Sequence, residues 1–433
     1  MDNIEYGTHE AYMRRAIELA ALGDGHTDPN PLVGAVIVKD GRIIGEGYHE
    51  VYGSLHAERN ALKACTEDPK GADMYVTLEP CCHYGKQPPC TLALIEAGIK
   101  HVYVGSADPN PKVAGKGIVQ LRKAGIEVTE NFMREECDAL NPVFFHYIST
   151  MEPYIALKYA MTADGRIATD AGKSQWITGV KAREHVHKLR SRYKGILVGI
   201  GTVLADDPML TCRMEGGRNP VRIVLDTHLR IPIGSKIVQS AKDVPTIVIC
   251  SKDVVGYGQS ADCSVTEESS SSSAGTDRDM TDFEANNNDI CGCYDESVSS
   301  VSDSRAEQTL RIEDKLIQLR SLGVEVLGVS EENGHVSITE ALKLLGEKGI
   351  NGILVEGGAH INGTFIEAGK VNRIYSYIGA KVFGGSVLKN PVIGLGFKTP
   401  DTALKLSNPK VSVFDDDVLI QYDVKEKHTC SQE

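Results

Sequence analysis

Apolar residues over the first 130 positions alternate between two periods. From 10 to 22 they recur at helical spacing, with Tyr12, Ala16, Leu19 and Ala20 on one face. Pro29-Asn30-Pro31 interrupts that pattern as a rigid loop. Residues 33–38 form a short apolar run, Asp40-Gly41 a turn, and 42–48 a returning hairpin strand. Helices are predicted over 57–64, 91–97 and 116–124, the last stopped by Gly125. Strands are predicted over 73–78, 101–105 and 126–129. This order predicts an α/β/α domain over a mostly parallel sheet.

The pattern restarts after 145–152, which predicts a first domain at 1–147 and a second at 148–433. The second is again α/β. Strands are expected over 154–160, 195–199, 220–226, 245–250, 352–356, 372–382 and 410–423. Helices are expected over 181–192, 313–322 and 363–368.

Composition changes this picture at one place. Residues 253–308 hold twelve serines and thirteen acids, with the runs SSSSS and NNN. Such a segment has little to bury and is expected to be a disordered insert in the second domain. Lengthening a short loop to that extent costs roughly 2 kcal/mol in chain entropy, which a domain tolerates. Its lone Cys291-Gly-Cys293 is expected to hold no metal. The insert also accounts for 11 of the 13 net negative charges, so the rest of the chain carries only −2. Net charge therefore says little about the substrate. No apolar run reaches membrane-spanning length, and the N-terminus has no secretion-signal pattern, so a cytoplasmic protein is expected.

Eleven cysteines are too sparse for a disulfide framework, which turns attention to the cluster Cys81, Cys82 and Cys90. It follows His56-Ala57-Glu58 and starts with Pro80-Cys81. A catalytic zinc needs three protein ligands and one open position, and soft thiolates with an imidazole suit that ion. A carboxylate that stays off the metal can then shuttle protons between water and a leaving amine. His56, Cys81 and Cys90 are the expected ligands and Glu58 the proton shuttle. A closed structural site with Cys82 or His83 as fourth ligand is the competing reading, but it leaves Glu58 unexplained. Cys90 is preferred to Cys82 because adjacent residues cannot easily face one ion, and because a helix N-terminus favours a thiolate.

The second half has no G-x-G-x-x-G. Gly199-Ile200-Gly201 is too short for that motif. Val355-Glu356-Gly357-Gly358 stands at a strand end before a helix, where backbone N–H groups can approach a phosphate.

LHAERNAL, VTLEPCCHYGKQPPC and DPNPKVAGKGI, with LKYAMTADGRIAT, SQWITG, GIGTVLADDPMLT and VEGGAHINGTF, resemble the bifunctional deaminase–reductase (RibD) family of riboflavin biosynthesis. The resemblance implies a cytidine-deaminase-like α/β/α domain followed by a dihydrofolate-reductase-like α/β domain. It implies a diaminopyrimidinone substrate carrying a phosphorylated ribosylamino group, with zinc in the first site and NADPH in the second. It also implies that Asn30, His49, His83 and Lys86 line the first substrate pocket. In the second half it implies ribosyl-phosphate contacts from Ser174, Arg190, Leu210, Arg213 and Glu356. NADPH contacts are implied for Ala160, Trp176, Thr202, Asp206, Thr227, Gly358, Ala359, His360, Ile361, Asn362, Gly363 and Thr364. Lys158 and Glu356 are the candidates near the reacting carbon. Trp176, the only tryptophan, could instead anchor the core.

The reading is therefore a two-step enzyme: hydrolytic deamination of the pyrimidine, then reduction of ribosyl to ribityl. A homo-oligomer is expected, with no nucleic-acid or membrane partner. A deaminase of another base with an inert second half is the alternative, and intact SQWITG and VEGG argue against it. A non-enzymatic regulator is a third, opposed by intact His56, Glu58, Cys81 and Cys90.

Overall fold

The structure is a computed structural model that describes residues 7–256, 311–386 and 389–425. Most of the serine-rich segment, including Cys291 and Cys293, lies outside the described residues. Its expected start at 253 is corrected, because strand β9 (Thr246–Ser251) runs directly into a short helix, α10 (Lys252–Gly256).

The first half is built on α1 (His9–Ala21), β1 (Gly34–Lys39), β2 (Arg42–Tyr48), α2 (Ala57–Lys63), β3 (Asp73–Leu78), α3 (Cys90–Glu96), β4 (His101–Ser106), α4 (Lys116–Lys123) and β5 (Glu127–Thr129). The strand order is β2-β1-β3-β4-β5. Asp40 and Gly41 both take positive φ, 50° and 74°, as a two-residue hairpin turn requires. The hairpin reverses the chain before α2, so β3 enters antiparallel to β1. Only β3–β4 and β4–β5 are parallel. The sheet is thus half parallel, not mostly parallel as the sequence suggested.

Helix α1 shows why glycine is needed at 34. Thr8 caps it by accepting from the Ala11 N–H at 3.2 Å, and Tyr12, Met13, Ala16 and Leu19 pack onto the sheet. The helix lies so close to β1 that a Cβ on Gly34 would stand 1.9 Å from the Ala16 carbonyl oxygen. Two further helices, α5 (Arg134–Asp138) and α6 (Pro142–Thr150), follow β5, and α6 runs across the expected boundary at 147.

The second half contains β6 (Tyr154–Thr162), α7 (Val180–Arg192), β7 (Gly195–Gly199), α8 (Ile200–Asp206), β8 (Val221–Leu225), α9 (Lys236–Gln239), β9 and α10. After the gap come helix α11 (311–321), β10 (Val324–Val329), the small β11–β12 pair (Glu331–Glu332, His335–Val336), α12 (Ile338–Glu347), β13 (Gly352–Val355), α13 (Ala359–Glu367), β14 (Arg373–Gly379), β15 (Leu406–Phe414) and β16 (Asp417–Val424). Nine strands form one sheet in the order β10-β9-β8-β7-β13-β6-β14-β16-β15. From β10 to β14 every pairing is parallel, and β16 and β15 close one edge antiparallel. This is the dihydrofolate-reductase-like layout. The apolar segment read as one strand over 410–423 is a hairpin that turns at Asp415, where φ is +55°. Among the described residues no helix is long and apolar enough to cross a membrane.

Overpacking a tight helix–sheet contact costs about 1–3 kcal/mol. Gly34→Ala is expected to lose that much stability in urea unfolding of the full chain, and an unchanged midpoint would show that α1 is free to move off the sheet.

Candidate active site

The metal site is assembled from three element ends. His56 is the N-cap of α2, Cys90 is the first residue of α3, and Cys81 follows β3. Two glycines let α2 lie flat on β2, because Cβ atoms at Gly45 and Gly47 would meet Ala61 backbone atoms at 2.4 and 2.3 Å. The His56 Nδ1 atom lies 3.5 Å from Cys81 Sγ and 3.4 Å from Cys90 Sγ. The three donor atoms are all within 4.8 Å of one another. Tetrahedral zinc with bonds of about 2.0 Å to nitrogen and 2.3 Å to sulfur needs N···S edges of roughly 3.6 Å, so these residues fit the ion. Cys82 turns away, its thiol 3.8 Å from the Lys112 carbonyl. Among the described residues the donor set is three, as an open catalytic site requires, so the closed four-ligand alternative loses its support.

The two thiols share their protons unequally. The Cys90 thiol and the His56 ring stabilise a thiolate on Cys81, whose pKa falls to about 4, while that of Cys90 is driven up. Glu58, two residues past His56, is buried, and burial raises its pKa.

A cavity of about 290 Å³ opens over this cluster. Asn30, His49, His83 and Lys86 all line it together with His56, Glu58 and Cys81, while Cys90 is buried behind. The Asn30 amide lies 3.0 Å from His49 Nε2, and His49 Nδ1 lies 3.1 Å from the Leu55 carbonyl. Burial lowers the His49 pKa and so favours the neutral ring, one tautomer of which accepts from Asn30 and donates to Leu55. Lys86 stacks its ammonium 3.9 Å from the centre of the Tyr52 ring.

Sequence reasoning missed Asp108, Asn110, Glu79 and Phe144 in the same wall. Burial raises the Asp108 carboxyl to about 6. Glu79 is buried and accepts from the Gly115, Gly117 and Ile118 N–H groups at 3.0–3.4 Å, which anchors the start of α4. The signal for these residues was the DPNPKVAGKGI segment, which brings Asp108 and Asn110 to the pocket and supplies Glu79 with its donors.

In the second half, Lys158, Arg190 and Glu356 form one cluster. Arg190 grips Glu356 with two hydrogen bonds of 2.7 and 3.1 Å, and Lys158 Nζ stands 3.5 Å from the same carboxylate. Burial alone would raise the Glu356 pKa, but the charges of Arg190 and Lys158 outweigh it and hold it at about 2. Beside the cluster lies a cavity of about 960 Å³. Thr202, Asp206, Thr227, Gly358, Ala359, His360, Ile361 and Thr364 line it. Its walls also include Gly199, Ile200 and Gly201, the short glycine motif set aside in the sequence, now seen as the turn from β7 into α8. His228 and Arg230 are further wall residues that sequence reasoning missed.

Other assignments fall elsewhere. Ser174, expected on the substrate, lines this same cavity. Asn362 and Gly363 do not line it, because the segment 391–394 packs over them. Asn362 donates to the Pro391 carbonyl at 2.7 Å, and a Cβ on Gly363 would lie 1.9 Å from the Ile393 carbonyl oxygen. Ala160 pairs with Tyr377 of β14 and packs against the core cluster that includes Tyr375 and Tyr377; it does not line the cavity. Trp176 is neither in the cavity wall nor a core anchor. It is 56% exposed, with the Arg183 guanidinium stacked 4.5 Å from its ring. Leu210 is buried with φ +52°, and Arg213 is exposed. A cavity of this size, with the Gly358 cap of α13 open toward it, fits a dinucleotide.

Glu58→Gln is expected to retain zinc by metal analysis but to lose about 10²–10⁴-fold in ammonia release. Undiminished turnover would remove Glu58 from the chemistry. For Glu356 the folded pKa lies below the ordinary value of 4.5, so its ion pairs stabilise the fold above that value and weaken as pH falls toward about 2. Glu356→Gln should flatten the stability–pH curve in that window, and an identical slope would assign the acid sensitivity to another group.

Known proteins match both halves. The family model described as RibD C-terminal domain matches residues 153–280 and 295–420, and that of the cytidine and deoxycytidylate deaminase zinc-binding region matches 7–106. The riboflavin biosynthesis protein RibD of Actinobacillus pleuropneumoniae is 46% identical over 411 residues, 95% of this chain and 94% of that protein. The Escherichia coli protein of the same name is 36% identical over 388 residues, 87% of this chain and 88% of that one. Acinetobacter baumannii RibD superposes with a TM-score of 0.73 at 32% identity, covering 96% and 98% of the two chains. The Thermotoga maritima diaminohydroxyphosphoribosylaminopyrimidine deaminase/5-amino-6-(5-phosphoribosylamino)uracil reductase gives 0.71 at 34% identity with the same coverage. With a family model over more than half its length and relatives matched nearly end to end, the chain belongs to the RibD family of bifunctional riboflavin biosynthesis enzymes.

Proposed function

We propose that the first half replaces the ring amine of a phosphorylated diaminopyrimidinone by oxygen, with water consumed and ammonia released, and that the second half reduces the ribosyl group of the product to ribityl. The observation that carries this reading is Glu58 buried beside a three-donor cluster at the floor of an open pocket. His56, Cys81 and Cys90 would hold zinc. When bound, zinc supplies the Lewis acidity that makes water a nucleophile at neutral pH. Glu58 carries one proton of that water to the ring nitrogen, and then the second, from the hydroxyl left on carbon, to the leaving amine. Asn30 reads the polar edge of the pyrimidinone, held in place by His49. Lys86, on the same wall, meets the phosphate as a point charge.

In the second half NADPH, when bound, supplies the hydride. The turn at Gly358 and the start of α13 offer N–H groups to its phosphates, with Thr202 and Thr227 on the facing walls. Arg190 keeps Glu356 ionised and fixed, so the carboxylate can orient the ribosyl hydroxyls. Lys158 is the nearby acid for charge that develops on the substrate.

Two further readings accompany the activity. Homo-oligomerisation is supported by the edge strand β15, whose Val411 and Val413 are 64% and 67% exposed. Cytoplasmic residence is supported by the seven described cysteines, all free.

The test is one assay of the purified chain with the diaminopyrimidine substrate, with and without NADPH. Ammonia should appear in both, and NADPH oxidation should follow it. Ammonia release with no NADPH oxidation would overturn the two-step reading.

A further inference from the structure

The loop between α1 and β1 touches both halves of the molecule. On one side it serves the deaminase pocket, where Asn30 meets His49 and the His26 carbonyl accepts from the N–H of Tyr52, another wall residue. Its other side faces the reductase half. Asp28 there receives three side chains: Arg218 at 2.9 Å, Lys194 at 3.5 Å and the Asn351 amide at 2.7 Å. Arg192 adds an ion pair with Asp24 at 3.4 Å. The Asp28 side chain is only 16% exposed, so this is a partly desolvated, multiply bonded carboxylate and not a loose surface pair.

Among the described residues these side-chain partners of Asp28 all come from the second half. Asn30 is tied back to the Thr27 carbonyl at 2.8 Å, which spans Asp28 and Pro29. Beyond Asn30 the chain is fixed again by Asn141, which exchanges two 2.8 Å hydrogen bonds with the Leu32 backbone. The segment 28–32 is thus clamped at both ends, and the end at Asp28 is held by residues of the reductase half.

We propose that Asp28 is a positioning residue for deamination: Arg218, Lys194 and Asn351 of the reductase half hold it, and through it they set Asn30 in the pyrimidine pocket. The reductase half thereby completes the deaminase site. This rests on the reading of Asn30 as a substrate contact, and the test separates the two.

The test measures ammonia release without NADPH, using the full chain with zinc content checked, for Asp28→Asn, Arg218→Ala, the double variant and Asn30→Ala. Misplacing a binding group by a fraction of an ångström should raise the deaminase KM about tenfold while kcat stays within about twofold. Asp28→Asn and Arg218→Ala should do this alike, and the double variant should be no worse than either. NADPH oxidation with the deaminated compound should be unchanged in Asp28→Asn. A KM equal to wild type in both single variants overturns the proposal. Loss of kcat at constant KM also overturns it, because a contact that only holds the fold lowers the active fraction and leaves KM alone. If Asn30→Ala keeps the wild-type KM, the substrate-contact reading fails instead.

Discussion

Two helix N-termini and one strand end must converge within a few ångströms, and the first half depends on that convergence. His56 caps α2, Cys90 opens α3, and Cys81 leaves β3, with their donor atoms within 4.8 Å of one another. Helix N-termini carry partial positive charge, which favours thiolate at the very place where a cation is to be held. The sheet beneath must therefore be flat and close. Gly45 and Gly47 on β2, and Gly34 on β1, remove the side chains that would push α2 and α1 away. The long chain between Cys81 and Cys90 is the other part of the same solution, since it lets the second thiolate arrive from a helix and leaves Cys82 free to turn outward.

The chemistry of this site was legible because each residue type is demanded by a distinct physical need. A soft cation requires thiolates, an open coordination position limits their number, and a proton shuttle must sit near without ligating. What could not be read was the wall built by folding. Glu79 looks like any strand-end carboxylate until the glycine-rich stretch 115–117 is seen to wrap its oxygens. Asp108 and Asn110 sat in a quoted motif but acquired a role only when β4 delivered them to the pocket. The sheet direction failed for a similar reason. Spacing predicted the β1–β2 hairpin, yet the reversal it imposes on β3 is a property of connection and not of pattern.

In the second half the reading fell short in three different ways. Helix α12 went unread although its start carried a usable signal: Ser337 accepts from the Glu340 N–H, with glutamate three residues after serine. Residues 358–364 were assigned to the cofactor as one run, whereas a helix presents only part of any run to one side. Gly358, Ala359, His360, Ile361 and Thr364 face the cavity, and Asn362 and Gly363 face the segment 391–394. The β7–α8 turn at Gly199–Gly201 was discounted for lacking a dinucleotide fingerprint. It lines the cavity all the same, because what a phosphate or ribose needs is a backbone without obstructing Cβ atoms, and that need is not tied to one spacing.

The electrostatics of the two sites follow from opposite treatments of a buried carboxylate. Glu58 is desolvated beside two thiols, so its proton is held more tightly and can be exchanged during a reaction. Glu356 is largely buried too, but a bidentate arginine and a lysine keep it charged across the working pH range. One carboxylate is biased toward its protonated form and the other toward its charged form. Neither state reflects the chain's net charge, most of which belongs to the serine-rich segment far from both sites in sequence. Local partners decide what each acid does, and at Asp28 they come from the other half of the chain.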